Sequence, residues 1–176
     1  MTYLGVSLGH RGFSLGHRDD HEAERWLRDV VLPLSLPDLT ACTHLVREPY
    51  PHVALSFSGL GLESAILPEV PVELRDAATA AAAEHATRRS GRAVYFTGVE
   101  RLVGTVTVGE LLAWSAIDRV AVLGGSPAEQ ETRIQTRDFV RPQWQHGELV
   151  LTTQPARGGV LVPFEMPDPT PCCADH

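Results

Sequence analysis

Residues 136–165 read TRDFVRPQWQHGELVLTTQPARGGVLVPFE, and this stretch decides the fold class. Short apolar runs alternate there with two sets of turn residues, at His146-Gly147 and at residues 155–159. Such punctuation predicts a meander of three antiparallel strands. Val160, Val162 and Phe164 would share one face of the last strand, because successive side chains alternate between the two faces.

Three helices are predicted upstream of this meander. The first covers residues 20–32 after an N-cap at Asp19 or Asp20, and the second is an alanine-rich helix over residues 72–90. The third covers residues 107–117 and begins with the capping-box pair Thr107 and Glu110. We therefore expect an α+β fold, in which about three helices pack on a mostly antiparallel sheet that ends with the meander.

Shorter segments complete the predicted sheet. Apolar and polar residues alternate over residues 52–58, and buried strands are expected at 92–97 and 119–123. Residues 39–46, which carry Cys42 and His44, are predicted as a short helix between prolines. The glycines of the near-repeat in the first eighteen residues indicate a strand and turn or a mobile arm.

The chain of 176 residues fits one domain of ordinary size. We place this single globular domain at residues 1–166. From residue 167 onward, prolines at positions 167, 169 and 171 alternate with other residues, which is typical of a linker or tail. Residues 167–176 are therefore predicted to form a proline-rich tail that contains two cysteines and a histidine.

Composition excludes several functional classes. All fifteen basic residues other than histidine are arginine, so Schiff-base enzymes and P-loop nucleotide hydrolases, which need a lysine, are excluded. The formal charge of −7 and the scattered arginines argue against a nucleic-acid partner. No apolar run approaches a membrane span and no secretory signal is visible, so we expect a cytoplasmic protein with reduced thiols and no membrane partner.

The C-terminal tail contains the strongest chemical pattern, formed by Cys172, Cys173 and His176. Thiolate and imidazole ligands favour zinc or copper(I), so the tail is a candidate metal site. Adjacent cysteines are less specific than a Cys-x-x-Cys pair, and a fourth ligand would have to come from elsewhere in the chain. The alternatives are a vicinal disulfide, an exposed dithiol that passes metal to a partner, or a tail without chemical function.

A second candidate metal site consists of His17, His21 and Glu24, spaced four and then three residues apart. On a continuous helix this spacing would place two imidazoles and a carboxylate on one face, the ligand set of a mononuclear iron or catalytic zinc site. If the helix begins at Asp19 or Asp20, His17 lies outside it and the geometry is lost. The alternative is a solvated helix start whose acidic residues complement the helix dipole.

Three functional hypotheses follow from these patterns. The first is a small regulatory or accessory protein that works through a protein partner and responds to metal or redox state through its C-terminal thiols. The second is a metal-dependent enzyme that uses His17, His21 and Glu24. The third is a small-molecule binding domain with a pocket between the sheet and the long helix. No nucleophile motif is present in the sequence, and whether the protein is an enzyme stays open.

Overall fold

The structure, a computed structural model, describes residues 9–125 and 127–167. The described residues group into two compact units: those within 9–97 and 143–148 form unit 1, and those within 98–142 and 149–167 form unit 2. The expectation of one folding domain over residues 1–166 stays a prediction, because this grouping describes contacts and not independent folding. Within the described residues, no helix combines the length and apolar character that crossing a bilayer requires.

The described residues form three α-helices and ten strands. The helices are α1 Asp20–Trp26, α2 Arg75–Ala86 and α3 Val108–Trp114. The strands are β1 Gly9–His17, β2 Thr40–Val46, β3 His52–Gly59, β4 Arg92–Tyr95, β5 Thr105–Thr107, β6 Arg119–Val122, β7 Arg133–Gln135, β8 Gln143–Gln145, β9 Glu148–Ala156 and β10 Val160–Pro163. Most strand pairs are antiparallel, which confirms the predicted α+β class.

Unit 1 contains an antiparallel sheet with the strand order β1-β3-β2-β4-β8. One face of this sheet, here called the α1 face, is large and apolar. Phe13 stacks on Trp26 of α1 with ring centroids 4.5 Å apart. Its core continues through Leu55 and Phe57 of β3 and Leu27 after α1, all of them buried. The burial of this apolar surface holds α1 and its continuation against the sheet.

The opposite face, here called the α2 face, is lined by small side chains, and α2 lies directly on it. A Cβ atom added to Gly12 would be only 1.6 Å from the carbonyl oxygen of Ala78. The helix contributes Ala77, Ala78 and Ala81 to this contact, all of them buried. Glycine and alanine side chains therefore allow the helix backbone to approach the sheet closely.

The prediction of a helix at residues 39–46 is wrong, because residues 40–46 form β2. β2 pairs with β3 on one side and with β4 on the other. Its β-branched residues Thr40, Thr43 and Val46 suit a central strand, and the segment is too short to form a stable helix against that pairing.

The predicted helices are confirmed with shifts at their ends. α1 begins after Asp19, whose side chain accepts a hydrogen bond from the Glu22 N–H at 2.9 Å. It continues as a π-helical turn over Leu27–Val31 and a 3₁₀ turn over Leu32–Leu34. A 3₁₀ turn over Val72–Leu74 precedes α2, and α3 begins with the predicted Thr107–Glu110 capping box.

Unit 2 has the strand order β6-β9-β10-β7-β5. β9 and β10 form the predicted antiparallel hairpin, with the turn glycines Gly158 and Gly159 at φ values of 82° and 70°. Two pairs, β6 with β9 and β10 with β7, are parallel. Such pairs need long connections, which hairpin patterns in the sequence do not reveal.

Candidate functional site

Unit 1 contains a cleft of about 550 Å³ between α2 and strands β2, β4 and β8. We call it the α2 cleft. Ala77, Ala80 and Ala81 of α2 form one wall, and Trp144 of β8 adds an aromatic surface. The ionisable side chains that line it are Asp20, His44, Arg47, Glu48, Glu84 and Arg92. The cleft thus combines an apolar wall with several polar side chains, and its volume lies within the range of small-molecule sites.

His44 of β2 is held in the α2 cleft by a glycine. Gly91 has a φ of +127°, and a Cβ atom there would lie 2.9 Å from the His44 Cε1 atom and 3.1 Å from the Cys42 Cβ atom. A larger residue at position 91 would therefore displace the imidazole ring and strain the backbone. Glycine at position 91 therefore leaves room for the ring.

A hydrogen-bonded chain leads from His44 into the interior. The Nε2 atom of His44 lies 2.7 Å from the Ser56 hydroxyl oxygen, which lies 2.8 Å from Nδ1 of His85. Nε2 of His85 lies 3.2 Å from the Ser58 hydroxyl oxygen. We call these four residues the histidine–serine chain. Ser56, Ser58 and His85 are buried, whereas His44 is only partly buried and reaches the cleft.

Burial controls protonation at this site. Desolvation lowers the pKa of His44 to about 4, although the negative charge of Glu84 acts in the opposite direction. The imidazole is therefore neutral at neutral pH. Burial raises the pKa of the Cys42 thiol to about 12, and the neighbouring Trp144 and Ser56 offset only part of this effect. The Cys42 thiol is thus protonated and weakly nucleophilic.

One of the lining residues of the α2 cleft, Arg92, forms an ion pair. Arg92 of β4 lies 2.7 Å from the Glu24 carboxylate and 3.8 Å from that of Asp20. The Arg92 side chain is 13% exposed, so solvent screens the nearer contact only weakly. The pair connects α1 with β4 and neutralises the positive charge of Arg92.

The structure does not place His17, His21 and Glu24 on one helical face. His17 ends strand β1 and is buried against Trp26, with ring centroids 5.8 Å apart, whereas His21 is exposed on α1. Glu24 is paired with Arg92. Burial lowers the pKa of His17, with Glu22 raising it and His52 lowering it further. The three residues do not share a helical face because α1 begins at Asp20, which leaves His17 in the preceding strand.

Within residues 9–125 and 127–167, no three histidine, cysteine, aspartate or glutamate side chains are grouped so that they could hold a metal ion. The other predicted ligands, Cys172, Cys173 and His176, lie outside the described residues. The predicted zinc or copper(I) site of the tail therefore stays a prediction.

The sequence did not identify the residues of the histidine–serine chain as a group. Ser56 and Ser58 lie on one face of the predicted strand at 52–58, and His85 follows Ala77, Ala78 and Ala81 at helical spacing. Together, these two patterns predict a buried histidine beside two serines, but only if α2 is known to pack on the strand face that carries the serines. His44 could not be found, because its segment was predicted as a helix.

None of the family models, curated proteins or solved structures compared with the chain matches it.

Proposed function

We propose that this protein is a noncatalytic accessory protein that binds a small molecule in the α2 cleft. The observation that carries the proposal is the cleft itself, with its volume of about 550 Å³, its alanine wall and its polar side chains. The accessory role belongs to the first hypothesis from the sequence, and the ligand site belongs to the third, which expected a pocket between the sheet and the long helix.

The chemistry of the cleft favours binding over catalysis. A general base works best with a pKa near the operating pH, whereas burial holds the pKa of His44 at about 4. The Ser56 hydroxyl lies between two imidazole rings, as a serine nucleophile beside a histidine base would. It is fully buried, however, and does not line the cleft. The Cys42 thiol is also fully buried. A neutral imidazole at the cleft surface is instead suited to a hydrogen bond with a ligand.

Rigidity also supports a binding role. The histidine–serine chain and the Arg92–Glu24 ion pair each fix a polar group of the cleft before any ligand arrives. A site whose polar groups are already ordered loses less conformational entropy on binding. The cleft therefore has the preorganisation that a specific ligand needs.

The experiment is a thermal-shift screen of a metabolite library against the wild type and two variants of α2. Ala80→Trp would fill the cleft from an exposed position in its wall. Ala83→Trp adds the same side chain at an exposed position of α2 outside the cleft. We expect at least one compound to stabilise the wild type and the Ala83→Trp variant but not the Ala80→Trp variant. Equal stabilisation of all three proteins by every hit would contradict the proposal.

A further inference from the structure

We infer that the α2 cleft recognises a neutral group that both accepts and donates hydrogen bonds, of the carboxamide type, between His44 and Glu84. This inference rests on the proposed function and names the class of ligand. It depends on which atoms donate and which accept along the histidine–serine chain. It also depends on the Glu84 carboxylate oxygen that remains able to accept a hydrogen bond.

The direction of the chain follows from its inner end. Ser58 is 8% exposed, and its hydroxyl contacts one nitrogen acceptor in the described part of the chain, Nε2 of His85. A buried hydroxyl proton without an acceptor costs about 1–3 kcal/mol, so Ser58 donates to His85. Because Nε2 of His85 accepts this bond, the ring proton lies on Nδ1 and is donated to the Ser56 oxygen.

The outer end is fixed in turn. Because the Ser56 oxygen accepts from His85, its own proton is directed to Nε2 of His44, which is a better acceptor than the neighbouring Cys42 sulfur. His44 must then carry its proton on Nδ1, the ring nitrogen that the histidine–serine chain does not use, and the His44 side chain lines the α2 cleft.

Glu84 supplies an acceptor on the adjacent helix. Its Oε2 atom accepts a hydrogen bond from the Ser90 hydroxyl, and no side chain in the described ranges bonds to Oε1. Glu84 also lines the cleft, and its charge acts on the His44 ring without a direct hydrogen bond between the two residues. A ligand group can therefore lie between the Nδ1–H donor and the carboxylate acceptor.

This pair of groups discriminates among ligands. A carboxylate would accept from His44 but would be repelled by Glu84, and Arg92 is already paired with Glu24. An amidinium would be attracted by Glu84 but would offer His44 no acceptor. A carboxamide satisfies both, with its carbonyl oxygen on His44 and its N–H on Glu84. The exposed Arg47 and Glu48, which also line the cleft, carry opposite charges and offset each other.

The test compares benzamide, benzoate and benzamidine. They share a phenyl ring and differ in the polar group that would contact His44 and Glu84. Binding is measured at pH 7 from the NMR shifts of the Trp144 indole and His44 ring signals, with Ala80→Trp as the blocked control. We expect benzamide to bind about tenfold more tightly than the other two, as one lost hydrogen bond to a charged or buried group predicts. Glu84→Gln should reduce the preference over benzoate, because a glutamine amide can donate to a carboxylate.

The ring nitrogens give an independent readout. The ¹⁵N shifts of His44 should identify a neutral ring protonated on Nδ1 in the wild type, and Ser58→Ala should shift this signal toward a mixture of tautomers. Preferred binding of benzoate or benzamidine at Trp144 would overturn the ligand class while the cleft remained a binding site. A His44 ring protonated on Nε2 would overturn the inference by itself. Absence of binding by all three compounds would also overturn it, and the metabolite screen would then decide the proposed function separately.

Discussion

The two faces of the unit 1 sheet are built from different chemistry, although neighbouring residues of the same strands supply both. On the α1 face, Phe13 and Phe57 are fully buried in an apolar core. On the α2 face, the adjacent residues Gly12, Ser56 and Ser58 lie beneath a helix of alanines and the buried His85. The α1 face gains stability from apolar burial, whereas the α2 face buries polar groups that must be hydrogen-bonded to be tolerated. We interpret the α2 face as the part of unit 1 that is specialised for binding.

The largest expected effect comes from truncating the apolar face. Phe57→Ala should lower the free energy of unfolding by about 3–5 kcal/mol, because it leaves a cavity in a fully buried core. Ser56→Ala, one residue away on the α2 face, should cost only about 1–3 kcal/mol, the penalty for unsatisfied buried imidazole nitrogens. Urea unfolding of both variants measures the difference. Equal losses would remove the distinction between the two faces.

The next effect concerns the approach of α2 to the sheet. Gly12→Ala should cost about 1–3 kcal/mol and increase hydrogen exchange in α2, because the new methyl group would overlap the Ala78 carbonyl. Gly109→Ala in α3 is the control, since its new Cβ would lie 3.4 Å from the nearest atom and alanine favours a helix. If Gly12→Ala left the exchange of α2 unchanged, the close contact would have no role in stability.

A smaller effect should appear with pH. The pKa of His44 is about 4 in the folded protein and 6.5 for an unperturbed histidine, so the unfolded chain binds the proton more readily. The stability that neutral His44 contributes should be complete above pH 6.5 and should fall as the pH drops toward 4. The loss should be roughly 2 kcal/mol once partial solvent access is considered. Urea unfolding from pH 7.5 to 4 should show a shallower slope for His44→Asn than for the wild type. Parallel curves would contradict the assigned burial of the imidazole.

The smallest effect on the fold should come from the C-terminal tail. Removal of residues 169–176 should leave the unfolding free energy unchanged, whereas zinc or copper(I) bound by Cys172, Cys173 and His176 should be lost. Metal content and free-thiol counts of untagged protein, purified without oxygen, compare the full chain with one that ends at Asp168. No metal in either form would remove the metal-responsive role predicted from the tail.

The sequence predicted most of the regular structure but little of the site. The helices and the β9–β10 hairpin have local causes, such as the Asp19 cap and the turn at Gly158-Gly159, and local patterns reveal them. β2 was missed because its two neighbours, β3 and β4, determine its conformation, and one of them is almost fifty residues away. The histidine–serine chain joins residues from β2, β3 and α2, so it exists only after those elements have packed.

The α2 cleft is most directly tested by isothermal titration of the first ligand that the screen identifies. We predict one site on the wild type, a similar dissociation constant for Ala83→Trp, and a loss of affinity of at least tenfold for Ala80→Trp, whose side chain would occupy the cleft. An unchanged dissociation constant for Ala80→Trp would place the ligand elsewhere and contradict the account.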